Sequence, residues 1–306
     1  ELWERFSFYG MRALLTLYMV NVIFLELVER DFAAAAVYAS YGSLVYASTV
    51  VGGRISDSIL GFRKSIFLGG ILMALGHFVL AIENDYTFFL ALGFIVVGNG
   101  FFKPNISTFV GSLYEDKDPR KDSGFTIFYM GINIGGWVAP LLCGWLGSAY
   151  GWHYGFGLAG IGMTLGMIVY YLGMPYLSHV GNFIGEDGSD EDKAAMNKPL
   201  TDIEKDRVKV LLISFLIVIV FWGAFEQAGG LLNIYTQEKT NRILDFTLPL
   251  IGNEVPASWF QSLNALFIIL LAPVFAWLWV KLGKYNPNTA VKFSLALILV
   301  GLGFGS

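Results

Sequence analysis

Stretches of about 20 mostly apolar residues recur along the whole chain, the length a helix needs to cross a bilayer. Eight fall at roughly 1–24, 34–55, 65–82, 87–112, 124–147, 152–176, 208–236 and 256–280, and a ninth runs from near 287 to the last residue. Composition agrees. Charged residues make up 14% of the 306 residues, where a typical soluble domain has about 25%. Mean hydropathy is +0.60. A disordered chain, a collagen-like repeat, a disulfide scaffold and an ordinary cytosolic enzyme are excluded. The single Cys143 lies in an apolar run and has no intrachain partner. A net charge of −4 argues against a nucleic-acid partner. The 36 glycines suit closely packed membrane helices. No segment resembles a cleavable signal peptide. The chain opens on Glu1 inside a span and stops at Ser306 as the ninth span completes, so it reads as a fragment of a longer protein.

Lys and Arg are retained on the cytoplasmic side of a membrane protein. One set of alternate connections holds 14 of the 20 basic residues: Arg54, Arg63, Lys64, Lys117, Arg120, Lys121, Lys193, Lys198, Lys205, Arg207, Lys209, Lys281, Lys284 and Lys292. The opposite set holds Arg30, Lys239 and Arg242. This places the 54–64 connection inside, with the first span starting on the cytoplasmic side.

The other three bases, Arg5, Arg12 and Lys103, lie within spans, as do the acids Glu1, Glu4 and Glu226. A charge at mid-bilayer costs about 2.5–3.5 kcal/mol even on lenient scales, so such residues pair or face a wet cavity. The implied function class is a pathway for an ion or solute. Glu1, Arg5, Phe8, Tyr9 and Arg12 fall at helical spacing, with Glu4 at the edge of that stripe. The bland alternative is a structural ion-pair ladder. Lys103 precedes Pro104, which frees a backbone carbonyl and can kink a helix. A buried lysine there calls for an anionic partner; the alternative is a lysine snorkelling from a helix end. The glycines at 98 and 100 do not make a phosphate loop, since no Gly-Lys-Ser/Thr follows. Tyr129 and Asn133 stand one turn apart, as do Trp222 and Glu226. Gln261 and Asn264 share a later span, where a kink is expected at Pro273. Trp222 alone reads as packing and Asn264 alone as interhelical glue; Glu226, mid-span, does not dismiss so easily. His77, His153 and His179 show no metal spacing, so no metal is expected. No nucleophile–base pair stands out, which argues against an enzyme.

Gly53, Asp57, Gly61, Arg63 and Lys64 form a G-x-x-x-D-x-x-x-G-x-R-K pattern. It resembles the cytoplasmic loop between helices two and three of the major facilitator superfamily, where such charges help gate the inner side. Three further segments narrow the resemblance. Glu1-Leu-Trp-Glu4-Arg5-Phe6-Ser-Phe8-Tyr9-Gly10 is similar to the E-x-x-E-R-F-x-Y-Y-G motif of the proton-dependent oligopeptide transporter family. Phe125 to Gly135, with Phe128, Tyr129 and Asn133, is similar to that family's helix-five signature. Phe221-Trp222-Gly-Ala-Phe225-Glu226-Gln227 is similar to its helix-seven motif.

The resemblance implies an all-α major facilitator fold: a six-helix N-terminal bundle (1–176), a cytoplasmic linker (177–207) and the start of a C-terminal bundle (208–306), from a protein of 12 or 14 helices. It implies a symporter of di- and tripeptides driven by an inward proton gradient, with no cofactor. Glu1, Glu4 and Arg5 would couple protons. Arg12 and Lys103 would receive the peptide carboxylate. Tyr9, Tyr46, Tyr129, Asn133 and Asn264 would line the peptide backbone, and Trp222 a side-chain pocket. Glu226 would act in gating or coupling. A peptide is a zwitterion with variable side chains, so charge should grip its ends while aromatics meet its side chains with little directional demand. Burial favours a protonated carboxyl and an adjacent guanidinium the ionised one, a balance suited to coupling. The expected setting is a bacterial inner membrane, with a cytoplasmic N-terminus and a functional monomer. Phe8 replaces the first tyrosine of the family's pair, and Ala39 stands where animal members carry a helix-two histidine. The 177–207 connection is too short for the two extra helices of many bacterial members, and the helix-ten acid lies beyond Ser306. Other readings are a major facilitator for nitrate, a drug or a sugar and, more distantly, a membrane receptor or sensor.

Overall fold

The computed structural model describes residues 1–115, 118–177, 180, 199 and 201–305. Lys117, His179, Lys193, Lys198 and most of the expected linker lie outside the described residues. Backbone polar groups in lipid must be satisfied within the chain, and helices do this segment by segment. The spans accordingly fold as α1 (Leu2–Tyr18), α2 (Arg30–Ile55), α3 (Gly61–Leu80), α4 (Asp85–Gly111), α5 (Lys121–Tyr150) and α6 (Trp152–Gly173). They continue as α7 (Asp202–Phe225), α8 (Leu231–Lys239), α9 (Ser262–Leu282) and α10 (Thr289–Gly305). A π-turn at Met19–Ile23 ends α1, and another at Ser56–Leu60 joins α2 to α3. Gly61 follows with φ 72°, a left-handed value suited to glycine, which accounts for the second glycine of the 53–64 pattern. Thr201 and Glu204 form a reciprocal capping box that starts α7. In the α4–α5 connection Arg120 donates to Asp118, at 2.7 Å through Nη2, and these bonds hold the Asp118 carboxyl down at about 2.

One expectation changes. The 208–236 span is not one helix. It breaks after Phe225 into a 3-10 turn (Glu226–Ala228), passes Gly229 and Gly230, and resumes as α8. The glycine pair has little helix propensity, and hydropathy averaged across it hides the break. The freed carbonyls find partners: Gln261 Nε2 donates to Ala228 O, and Thr16 Oγ1 to Gly229 O at 2.5 Å. The connection after α8 also carries an antiparallel hairpin, β1 (Ile243–Leu248) with β2 (Gly252–Glu254). Its base is closed by Arg242, which donates to Val255 O at 2.7 Å and pairs with Glu254 at 2.8 Å.

The chain forms two compact units, Glu1–Lys198 with Gln227–Ala265, and Pro199–Glu226 with Leu266–Ser306. In the first unit α1 is buried on almost every side, with Met11, Leu14, Leu15 and Tyr18 among the fully covered side chains. It packs on α5 and α6, while α3 packs on α4 and α4 on α2. Proline cannot donate to the carbonyl four residues back, so Pro104 within α4 leaves the Gly100 carbonyl without its helical partner. Gly52 of α2 lies against that carbonyl, and a Cβ there would overlap it. Gly52→Ala is therefore expected to destabilise the protein by about 1–3 kcal/mol, as overpacking does. The melting temperature in detergent should fall, while Gly93→Ala, which meets open space within a helix, should leave it unchanged or slightly raised. Equal melting of the two variants would contradict this account of the α2–α4 contact. In the second unit α7 and α10 have no buried residue, and their apolar surfaces suit lipid or further helices.

Candidate functional site

Because α1 is buried on almost every side, its charges need partners, and Glu1, Glu4 and Arg5 find them in one another. Arg5 hydrogen-bonds Glu4 through two guanidinium nitrogens. Its Nε lies 3.5 Å from Glu1 Oε1. Lys103 Nζ of α4 approaches the same Glu1 oxygen at 3.5 Å. The side chains of Glu1, Glu4 and Arg5 are 5%, 1% and 7% exposed, whereas that of Lys103 is 35% exposed. Two acids and two bases thus form one continuous cluster, with one cation at its edge. Glu1's oxygens are buried without a hydrogen-bond donor among the described residues, so the charge of Arg5 and Lys103 holds them.

Aromatic faces continue the cluster. The Arg5 guanidinium lies over Phe8 at 5.0 Å and Tyr9 at 5.8 Å. One to two turns on, Arg12 lies over Tyr9 at 6.0 Å and Tyr38 of α2 at 5.9 Å. Tyr9 also faces Gly136 of α5, and Ala265 of α9 comes to the same glycine. Phe8 keeps the aromatic contact with Arg5 but has no hydroxyl to offer.

At the end of α1 away from Glu1, polar contacts join the elements of this unit. Thr16 holds Gly229 O, and Asn233 Nδ2 donates to Ala13 O at 3.0 Å. Asn21 and Gln237 exchange amide contacts at 3.4 Å, and Arg30 lies 3.9 Å from Glu238. Trp259 Nε1 donates to Leu141 O at 2.9 Å, and Trp145 Nε1 to the hairpin carbonyl of Leu250 at 3.1 Å.

The other expected site residues fall as follows. Asn133 is buried, and its amide donates to Tyr129 O of its own helix at 2.9 Å. Tyr129, Tyr46 and Asn264 are exposed. Trp222 and Glu226 belong to the second unit, where Trp222 packs edge-on against Phe221 and Phe225. A Cβ added at Gly53 would make only ordinary contact with Pro104. Asp57 and Lys64 are exposed around the α2–α3 turn, and Arg63 O accepts a hydrogen bond from Tyr170 at 3.2 Å. Tyr38 was not among the expected site residues. Its signal is the 38, 41, 45 spacing of buried α2 residues, a stripe from which Tyr46 departs by one residue.

A helical membrane bundle that holds an acid–base cluster in its interior has the make-up of a solute carrier. A family model described as the POT family matches residues 63–187 and 190–305. The transporter YclF of Bacillus subtilis is 39% identical over 99% of this chain and 70% of its own length. A di-/tripeptide transporter of Lactococcus lactis subsp. lactis is 36% identical over 99% of this chain and 72% of its own. A solved POT family transporter in complex with a thioalcohol-conjugated peptide superposes with a TM-score of 0.77 at 32% identity, covering 98% of this chain and 72% of that one. The chain belongs to the POT family.

Proposed function

We propose that the protein is a proton-coupled symporter that takes up di- and tripeptides by alternating access. The observation that carries this reading is the buried cluster of Glu1, Glu4, Arg5 and Lys103 beside the aromatic-lined Arg12. Its bases suit a peptide carboxylate. Its carboxylates can exchange a proton for a cationic partner, so that proton and peptide bias the same rocking motion. Family membership and the di-/tripeptide transporter among the relatives support the substrate class.

In this reading Glu1, Glu4 and Arg5 couple protons, with Glu226 assisting in gating. Arg12 and Lys103 take the carboxylate. Tyr9, Tyr46, Tyr129, Asn133 and Asn264 line the backbone, and Trp222 walls a side-chain pocket. Gly53, Asp57, Gly61, Arg63 and Lys64 form the inner gate loop. Residues 1–176 are the N-terminal bundle and 208–306 the start of the second. The protein acts as a monomer in a bacterial inner membrane, with the Glu1 end of α1 toward the cytoplasm. The proton gradient is the driving force and no cofactor is needed.

Substrate class is tested by counterflow. Proteoliposomes of the full-length protein, preloaded with unlabelled dialanine, should draw in labelled dialanine. Di- and tripeptides should compete; nitrate and sugars should not. Competition by nitrate or a sugar and none by peptides would replace the peptide reading with another solute.

A further inference from the structure

We infer that the turn of the β1–β2 hairpin is a lipid-anchoring tip. Leu248, Pro249, Leu250 and Ile251 enter the boundary between headgroups and acyl chains, in the leaflet at the Tyr150 end of α5. The partner is the bilayer itself, and the inference does not depend on which solute the protein carries.

Three independent observations meet at this turn. The first is depth. α5 has 30 residues, so it is about 45 Å long against a hydrocarbon core of about 30 Å. Centred on the bilayer, each of its ends stands about 7 Å beyond that core. Trp145 lies about 7 Å back along the axis from the last residue, Tyr150, and so at the boundary. Its neighbours mark the same level. Trp145 packs edge-on against Tyr150 at 5.7 Å, and Tyr150 against Tyr154 of α6 at 6.3 Å. Such amphipathic rings gather at membrane interfaces. The bond from Trp145 Nε1 to Leu250 O, at 3.1 Å, ties the hairpin turn to that level. It also gives this carbonyl the partner that a backbone group near hydrocarbon needs.

The second is polarity along the hairpin. Its base carries the Arg242–Glu254 pair, and Asp245 is exposed on β1. From Phe246 to Asn253 there is no charge, and the turn reads Leu-Pro-Leu-Ile. Leu250 is 76% exposed, so the described residues leave its side chain uncovered. A polar base and an apolar tip are the make-up of an element that enters a membrane tip first.

The third is strain. Leu250 has a φ of 77° and is the sole non-glycine residue with positive φ among the described residues. Glycine or asparagine takes this conformation at lower cost. Either would serve a turn that stands in water. The chain instead bears the cost for a leucine that it does not bury. Transfer of that side chain from water to lipid is the compensation its chemistry offers.

The test uses the full-length protein in phosphatidylcholine proteoliposomes, in a background without other reactive thiols. Leu250→Cys at the tip and Asp245→Cys nearer the base are each labelled with an environment-sensitive NBD fluorophore. Ile251→Cys is a second tip site, which keeps the turn testable if the first variant folds poorly. At both tip positions emission should shift to the blue and resist iodide in the buffer. Lipids with a nitroxide near the headgroup should quench it more than lipids with a nitroxide at the chain end. At Asp245 emission should stay at longer wavelength and open to iodide. Tip probes that iodide quenches and nitroxide lipids do not would place the turn in water and overturn the inference. Blue-shifted emission that neither quencher reaches would show the turn covered by protein, and would overturn it equally. Quenching is read whether or not dialanine is transported, so failure of the peptide reading leaves this result standing.

Discussion

Arg5→Met is expected to leave little folded protein. The guanidinium stands between two carboxylates that water scarcely reaches, Glu1 at 3.5 Å and Glu4 in direct hydrogen-bonded contact. Methionine fills much of the same volume, so packing is largely kept and the change isolates the charge. Removing one partner of a buried pair costs about 3–5 kcal/mol, because the remaining charge is stranded in a poor solvent. Here two carboxylates lose their cation together, and Lys103, which pairs with Glu1 at 3.5 Å, sits at the exposed edge of the cluster. The yield of monodisperse detergent-solubilised protein and its melting temperature should both drop sharply. Adding Glu4→Gln to Arg5→Met should recover part of the loss, as expected for directly coupled groups. A single variant as stable as wild type would show that the cluster is not held by charge pairing.

Glu4→Gln alone carries the second large effect, chiefly on transport, since Arg5 keeps Glu1 as a counter-charge at 3.5 Å. Glutamine keeps the size of the side chain and an oxygen for Arg5, but it cannot take up and release a proton. If Glu4 exchanges a proton for its hold on Arg5, the variant is fixed in the neutral form and can still rock. Gradient-driven uptake should then fall at least about a hundredfold, equivalent to about 2.7 kcal/mol. Counterflow without a gradient should persist, because it needs the rocking motion and not net proton movement. Full gradient-driven uptake in this variant would place coupling elsewhere, with Glu1 the next candidate: its oxygens lack a hydrogen-bond donor among the described residues.

The long helices and the charged cluster were both legible in the sequence, for related reasons. A membrane span must be about 20 apolar residues long, and any charge inside one must be paired. Glu1, Glu4, Arg5 and Lys103 therefore announced themselves by position, and the structure brings all four together. The break at Glu226–Gly230 was not legible, because glycine is tolerated in membrane helices and lowers mean hydropathy little. The break depends on partners far away in sequence, Thr16 and Gln261, that satisfy its carbonyls. The hairpin at 243–254 was hidden for a similar reason, since Arg242 and Trp145 hold it through backbone carbonyls. Tyr46 came from the family resemblance, and the three tyrosines of α2, at 38, 41 and 46, carry no sign in sequence of which faces Arg12. The 38, 41, 45 stripe was the cue, and it needs a neighbouring helix to give it direction.

The most direct test of the central claim is uptake of labelled dialanine by the full-length protein in proteoliposomes, with and without an inward proton gradient. The account predicts accumulation that requires the gradient, collapses when a protonophore dissipates it, and is lost in Lys103→Ala. Equal uptake with and without the gradient, by protein shown to be folded, would contradict it.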